Sequence, residues 1–295
     1  MADEIRTTNE RAAQDVSRRD FVALSLAAGF VAATGTADAQ MPVTETDVTI
    51  KTPDGTCDAA FIHPATGSHP AVIIWPDAFG LRPAMRDMAK RLAADGYAVL
   101  VPNPYYRVTK APGVKMEGFS FQNADSMAEL RKLMGGISAA GAAERDAAAY
   151  VAFLDSQASV NKSRKIGVQG YCMGGPLTFR TAAAVPERIG AGASFHGGGL
   201  VTQAPDSPHT MIPKMKARLY VAVAANDDQR QPDAKDVLKQ AFADAKVHAD
   251  VEVYSSLHGW CVPDMPAEQG KPIYNKPDAE KAWATLIALY KQALA

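Results

Sequence analysis

The chain has 295 residues, of which 47% are hydrophobic and 21% charged, with a formal net charge of -1. That length and balance fit one large or two small soluble domains. They exclude a polybasic surface for nucleic acid or anionic lipid.

The first element is read as an address. Ser17-Arg18-Arg19-Asp20-Phe21-Val22 resembles the twin-arginine export motif. An apolar run from Phe21 to Gly35 follows, too short and too rich in Ala, Gly and Thr to span a bilayer. Ala37-Asp38-Ala39 then gives a small-x-small cleavage pattern. Residues 1–39 are therefore expected to be a cleaved signal peptide that engages the twin-arginine machinery. The mature chain, 40–295, is expected in the periplasm or outside the cell, with no membrane span. The three cysteines, Cys57, Cys172 and Cys261, are an odd number, so at least one thiol stays free in an oxidising compartment. A Cys57–Cys261 bridge is left open.

Strands and helices then alternate. Thr44–Thr52 and Cys57–His63 flank the turn Pro53-Asp54-Gly55-Thr56 and form a hairpin. Ala71–Pro76 and Tyr97–Pro102 are continuous apolar runs, expected for strands buried on both faces. Between them Leu81–Ala94 has helical spacing and ends at Gly96. Asn103–Gly141 is irregular apart from a helix near Ser126–Met134, and long insertions of this kind are either functional or mobile. Ala142–Asp155 is a helix, Ile166–Gln169 a strand and Pro176–Ala184 a helix. Gly190–Phe195 and Leu219–Ala224 are strands, the second followed by an Asn226-Asp227-Asp228 loop. Ala234–Ala245 is a helix, Asp250–Tyr254 a strand, and His258-Gly259-Trp260 a loop. Ala279–Leu294 closes the chain as a helix whose apolar face is Trp283, Leu286, Ile287 and Tyr290. The alternation implies one mostly parallel sheet covered by helices on both faces, without an internal repeat or a dividing linker.

The most informative stretch is Gly170-Tyr171-Cys172-Met173-Gly174-Gly175. It spells Gly-x-Cys-x-Gly, the strand-turn-helix elbow that presents a nucleophile, with cysteine in the serine position. Glycines at its corners let strand and helix crowd together while Cys172 takes a strained conformation. The helix N-terminus favours the thiolate. Taken alone, the stretch fits a buried structural cysteine equally well.

Its neighbours break that tie. Sites in such sheets form at the C-terminal ends of the strands, where Asp77, Cys172, Asp228 and His258 fall. A thiol nucleophile needs a base, and the base needs an orienting group. The order Cys172, Asp228, His258 is that of the α/β-hydrolase triad. Asp228 is preferred to Asp227, which reads as a solvated loop carboxylate. His258 is preferred over His196, which follows a strand end and reads as a pocket residue.

These residues resemble the dienelactone hydrolase family over nearly all of the mature sequence. The markers are Pro76-Asp77-Ala78-Phe79-Gly80, Ala94-Asp95-Gly96-Tyr97 through Pro102, Tyr105 and Arg107, the Gly170–Gly175 elbow, Asp228 with Pro232, and His258-Gly259-Trp260. The resemblance implies an α/β-hydrolase fold and a Cys172–His258–Asp228 triad. It also implies backbone oxyanion donors at Ala78 and Met173, and hydrolysis of a small-molecule ester or enol-lactone through an acyl-thioester. It implies neither cofactor nor metal. Tyr105, Arg107, His196 and Trp260 are candidate pocket residues.

Two departures matter. The family's usual glutamate after the early strand is Asp77 here. It is read either as modulating the thiol or as capping the next helix. The arginine usually found four residues past the histidine is Val262, which leaves Arg86, Arg107 and Arg131 as candidate replacements. Alternative functions on the same fold are a non-catalytic small-molecule binder and a thiol-dependent peptidase.

Overall fold

The computed structural model describes residues 41–267 and 270–294; the expected signal segment, 1–39, lies outside them. Eight strands form one sheet in the order β1-β2-β4-β3-β5-β6-β7-β8. The hairpin β1 (Val43–Thr52) and β2 (Gly55–Pro64) joins antiparallel to β4 (Ala98–Pro102). From β4 onward every pairing is parallel, through β3 (Ala71–Trp75), β5 (Ile166–Tyr171), β6 (Ile189–Phe195), β7 (Arg218–Val223) and β8 (Ala249–Val253).

The sequence of β3 shows why the sheet needs two covers. All five residues are buried, and side chains alternate across a strand. Ile73 and Trp75 enter one apolar cluster, with Tyr150 and Leu154 of α3 (Ala142–Ser156), Leu177 and Phe179 of α4 (Gly174–Ala184), and Leu238 and Phe242 of α6 (Ala234–Ala245). Val72 and Ile74 enter the other. That cluster takes in Met85 and Leu92 of α1 (Pro83–Ala94) and Leu286 and Tyr290 of α7 (Lys276–Ala293). Trp283, on the expected apolar face of α7, lies at its margin under the Arg91 guanidinium, 4.3 Å away.

This layering answers the cysteine question. Cys57 belongs to the first cluster and Cys261 to the second. The sheet lies between them, and both are free thiols.

Chain direction creates the site. From β3 the chain crosses to β4 on one side, passes through α2 (Ala124–Ser138) and α3, and returns to β5 on the other side of β3. The order therefore reverses between β3 and β5, and crevices open at the carboxyl ends of strands at such points. Two segments differ from expectation. Ala225–Arg230 forms a short helix, α5, where a loop was read, and Pro208–Lys214 forms a 3-10 helix. No described helix is long and apolar enough to cross a membrane.

Candidate active site

The elbow after β5 is fixed by steric limits. A Cβ on Gly170 would lie 2.0 Å from the Gly174 carbonyl oxygen, and one on Gly174 would lie 2.3 Å from the Trp75 carbonyl oxygen. Neither contact is physically available to another residue. With both corners bare, β3, β5 and the start of α4 close on one another. Cys172 is pushed to φ +51°, a left-handed conformation that is costly for a residue with a Cβ. Its N–H is held by the Phe195 carbonyl at 3.0 Å and by His196 Nδ1 at 3.2 Å.

His258 follows β8, on a loop laced to α5. Its amide donates to Asn226 Oδ1 at 2.8 Å, and the Ala225 amide donates to the Ser256 carbonyl at 2.9 Å. His258 Nδ1 meets Asp227 Oδ2 at 2.6 Å. Burial opposes charge on this imidazole. Its hydrogen bond to the Asp227 carboxylate, with the nearby Cys172 thiol group, outweighs that and pushes its pKa up to about 10. The protonated form of the ring is thereby favoured beside the Asp227 carboxylate.

The expected acid, Asp228, is displaced by its neighbour. Consecutive residues on a helix point about 100° apart. With α5 anchored by Asn226, Asp227 faces the histidine loop, and Asp228 faces away to Lys235 Nζ at 2.7 Å. The carboxylate that contacts His258 is therefore Asp227.

Asp77 is placed where neither reading expected it. Its carboxylate accepts from Arg82 Nη1 at 2.7 Å and Nη2 at 2.9 Å, and from the Phe79 amide at 2.9 Å. It does not cap α1, whose N-terminal flank is Arg82. Arg82 is itself buried and reaches across to Asp264 with Nε and Nη2, each at 2.8 Å. Burial works against its charge, but the two carboxylates hold its pKa above the ordinary arginine value. Asp77 thus spends its charge on a guanidinium, and no direct bond to Cys172 occurs among the described residues.

The same network shapes the loop that carries Ala78. The Gly80 amide donates to the Asp77 carbonyl at 2.9 Å, and Tyr105 Oη donates to the Ala78 carbonyl at 2.6 Å. Burial, and then the charge of Asp77, raise the Tyr105 pKa, so its phenol stays a donor. Tyr105 Oη also lies 3.6 Å from Met173 Sδ. The Ala78 and Met173 amides, the two expected oxyanion donors, have no protein acceptor among the described residues.

A cavity of about 490 Å³ opens over Cys172 and His258. Of the four candidate pocket residues, none lines it. Tyr105 lies beneath the Ala78 loop, 1% exposed. Arg107 pairs with Asp146 and Asp54. His196 is fully buried, its ring centroid 4.8 Å from that of His258. Burial, and then the charge of His258, drive its pKa well below the ordinary value. Trp260 is buried against Tyr254. Arg86 is tied to Glu45 and Asp47, and Arg131 is an exposed residue of α2 that does not line the cavity.

The walls come from residues that sequence reasoning missed. Phe121 stands on the irregular insertion, Met265 and Ile273 on the loop after His258, and Arg230 at the end of α5. Arg230 Nη1 lies 3.1 Å from Asp227 Oδ1. None had a readable signal: Arg230 reaches the site through the short helix α5, which the sequence read as a loop, and the others depend on how two loops meet. No group of metal-ligating side chains occurs among the described residues.

Comparisons with known proteins bear on the family and the fold. A model of the dienelactone hydrolase family matches residues 57–294. The carboxymethylenebutenolidase of Rhodococcus opacus is 26% identical over 250 residues, covering 81% of this chain and 88% of its own. Among solved structures, a dienelactone hydrolase-like promiscuous phosphotriesterase from metagenomic libraries superposes with a TM-score of 0.70 at 22% identity, over 86% of this chain and 99% of its own. The dienelactone hydrolase of Anabaena variabilis gives 0.59 at 18% identity, over 86% of this chain and 99% of its own. The family match runs through the elbow, the Asp227 helix and the His258 loop alike, and the chain belongs to the dienelactone hydrolase family.

Proposed function

We propose that the protein hydrolyses carboxylic esters or lactones through an acyl-thioester on Cys172, with His258 as base and Asp227 as its orienting acid. The observation that carries this reading is the Asp227–His258 contact of 2.6 Å beside a cysteine held at φ +51° on the elbow. A structural cysteine needs neither the strain nor the paired histidine.

In this mechanism His258 takes the Cys172 proton and the sulfur attacks the carbonyl carbon. The oxyanion is received by the Met173 and Ala78 amides. Collapse breaks the bond to the alcohol oxygen, which leaves with the proton from His258. Water, deprotonated by the same imidazole, then attacks the thioester and expels the thiolate. Asp227 keeps Nδ1 protonated and Nε2 facing the thiol throughout. A thiolate leaves a tetrahedral intermediate more readily than an amine does, which favours esters and lactones over peptides.

Proton release on a pH-stat with an aryl acetate and a simple lactone tests the reading. Turnover is expected in the wild type and only solvent background in Cys172→Ala. Turnover retained in that variant would overturn it.

A further inference from the structure

We propose that the cavity selects esters and lactones that carry an aromatic ring, held against a wall made by Phe79 and Phe121 and braced by Phe119 packed against both; this rests on the hydrolase reading above. Phe79 follows the oxyanion donor Ala78 and is 1% exposed. Phe119 and Phe121 come from the irregular insertion. The three rings pack edge to face, with centroids 5.0 Å apart for Phe79–Phe119, 5.8 Å for Phe79–Phe121 and 5.0 Å for Phe119–Phe121. Interlocking of this kind fixes ring orientation, so the wall is shaped before a ligand arrives.

Phe121 is the outermost ring and 54% exposed, the highest value among the large exposed apolar side chains of the described residues. It lines the cavity that also holds Cys172 and His258. A phenylalanine left in water beside a nucleophile gains by being covered, and the covering group must sit within reach of the reacting sulfur. Met265 and Ile273 face the same space. A thioether and a branched alkyl chain both make favourable contacts with an aromatic guest.

Two polar groups at the rim are committed elsewhere: Asp77 is bound by Arg82, and Asn226 holds the His258 amide. Ser120, Gln122 and Arg230 also line the cavity and can meet the polar groups of any ester, aromatic or aliphatic. Discrimination between an aromatic and an aliphatic substrate therefore falls to the aromatic and apolar surface. An aliphatic substrate could fill part of that volume, but it lacks the ring edge and face to which Phe79 and Phe121 are complementary.

The test is a ratio, because an aryl lactone is intrinsically more reactive than an alkyl one. kcat/KM is measured for dihydrocoumarin and for δ-valerolactone in the wild type, Phe121→Ala and Phe121→Tyr. Phe121 is exposed, so both variants are expected to fold, and a matching thermal midpoint checks this. The dihydrocoumarin-to-valerolactone ratio is expected to fall about fivefold or more in Phe121→Ala. It is expected to return to within about twofold of the wild type in Phe121→Tyr, which restores a ring. A Phe121→Ala ratio within about twofold of the wild type would overturn the aromatic wall while leaving the hydrolase reading intact. Failure of the wild type to open either lactone would instead strike the hydrolase reading, and this inference with it.

Discussion

The elbow after β5 and the Asp227-bearing helix α5 after β7 sit at the same, carboxyl, end of the sheet with β6 between their strands, yet they are specified in different ways. The elbow is dictated by steric exclusion. The Gly174 carbonyl and the Trp75 carbonyl of β3 forbid a Cβ at Gly170 and Gly174 respectively, so both corners must read as glycine in the sequence. The position of the acid depends on a longer-range bond, Asn226 Oδ1 accepting from the His258 amide, thirty-two residues away. Two adjacent aspartates are then separated only by the direction each takes from α5. Steric exclusion writes itself into sequence; the rotation of a short helix does not.

Substitutions can break each side of this contrast. Gly170→Ala brings a Cβ into the Gly174 carbonyl and is expected to cost about 3 kcal/mol or more, with loss of soluble, cooperative folding. Urea unfolding of the purified variant measures it, and a wild-type midpoint would mean that the elbow tolerates a side chain. On the other side, Asp227→Asn leaves the fold intact and is expected to lower kcat about 10²- to 10⁴-fold, by freeing the imidazole orientation and removing its counter-charge. Asp228→Asn, which removes only the pair with Lys235, is expected to stay within about twofold. Steady-state kinetics on one aryl ester compares the two, and equal losses would merge the two carboxylates into one role.

Arg82 sharpens the comparison because it serves a loop through buried charge. Arg82→Met strands Asp77 in a buried site without its guanidinium, and breaking such a pair costs about 3–5 kcal/mol. Denaturant midpoints check this. The further variant Arg82→Met/Asp77→Leu removes both charges and is expected to recover a large part of the loss.

The smallest effect expected is a pH dependence from His196. Its folded pKa lies below the ordinary value of 6.5 because burial and the His258 charge oppose protonation. As pH falls below about 6.5, the unfolded chain binds a proton that the folded chain refuses, so stability is lost on the acid side. Urea midpoints of the wild type and His196→Phe at pH 7.5 and 5.5 test this. The variant is expected to lose less stability on acidification, and an equal loss would remove His196 from the account.

What was legible in the sequence follows the same division. The parallel sheet, its two helical covers and the elbow followed from runs such as Ala71–Trp75 and from the glycines around Cys172. The position of His258 was legible because it follows the last strand. Which of two adjacent aspartates meets His258 was not legible: Asp227 read as a solvated loop carboxylate, whereas the fold turns it toward the ring and Asp228 toward Lys235. The substrate walls were not legible. Arg107 looked available in sequence but is consumed by Asp54 and Asp146. Phe121 and Met265 meet only because two irregular segments fold over the same crevice.

The central claim is that Cys172 carries the acyl group, and trapping that group tests it most directly. The protein is mixed with an aryl ester, quenched in acid within the first turnovers, digested, and mapped by mass spectrometry. The account predicts one acyl adduct, on the peptide containing Cys172, absent from Cys172→Ala and accumulating in Asp227→Asn if deacylation is slowed more than acylation. An adduct on Cys57, Cys261 or any serine, with Cys172 unmodified during turnover, would contradict it.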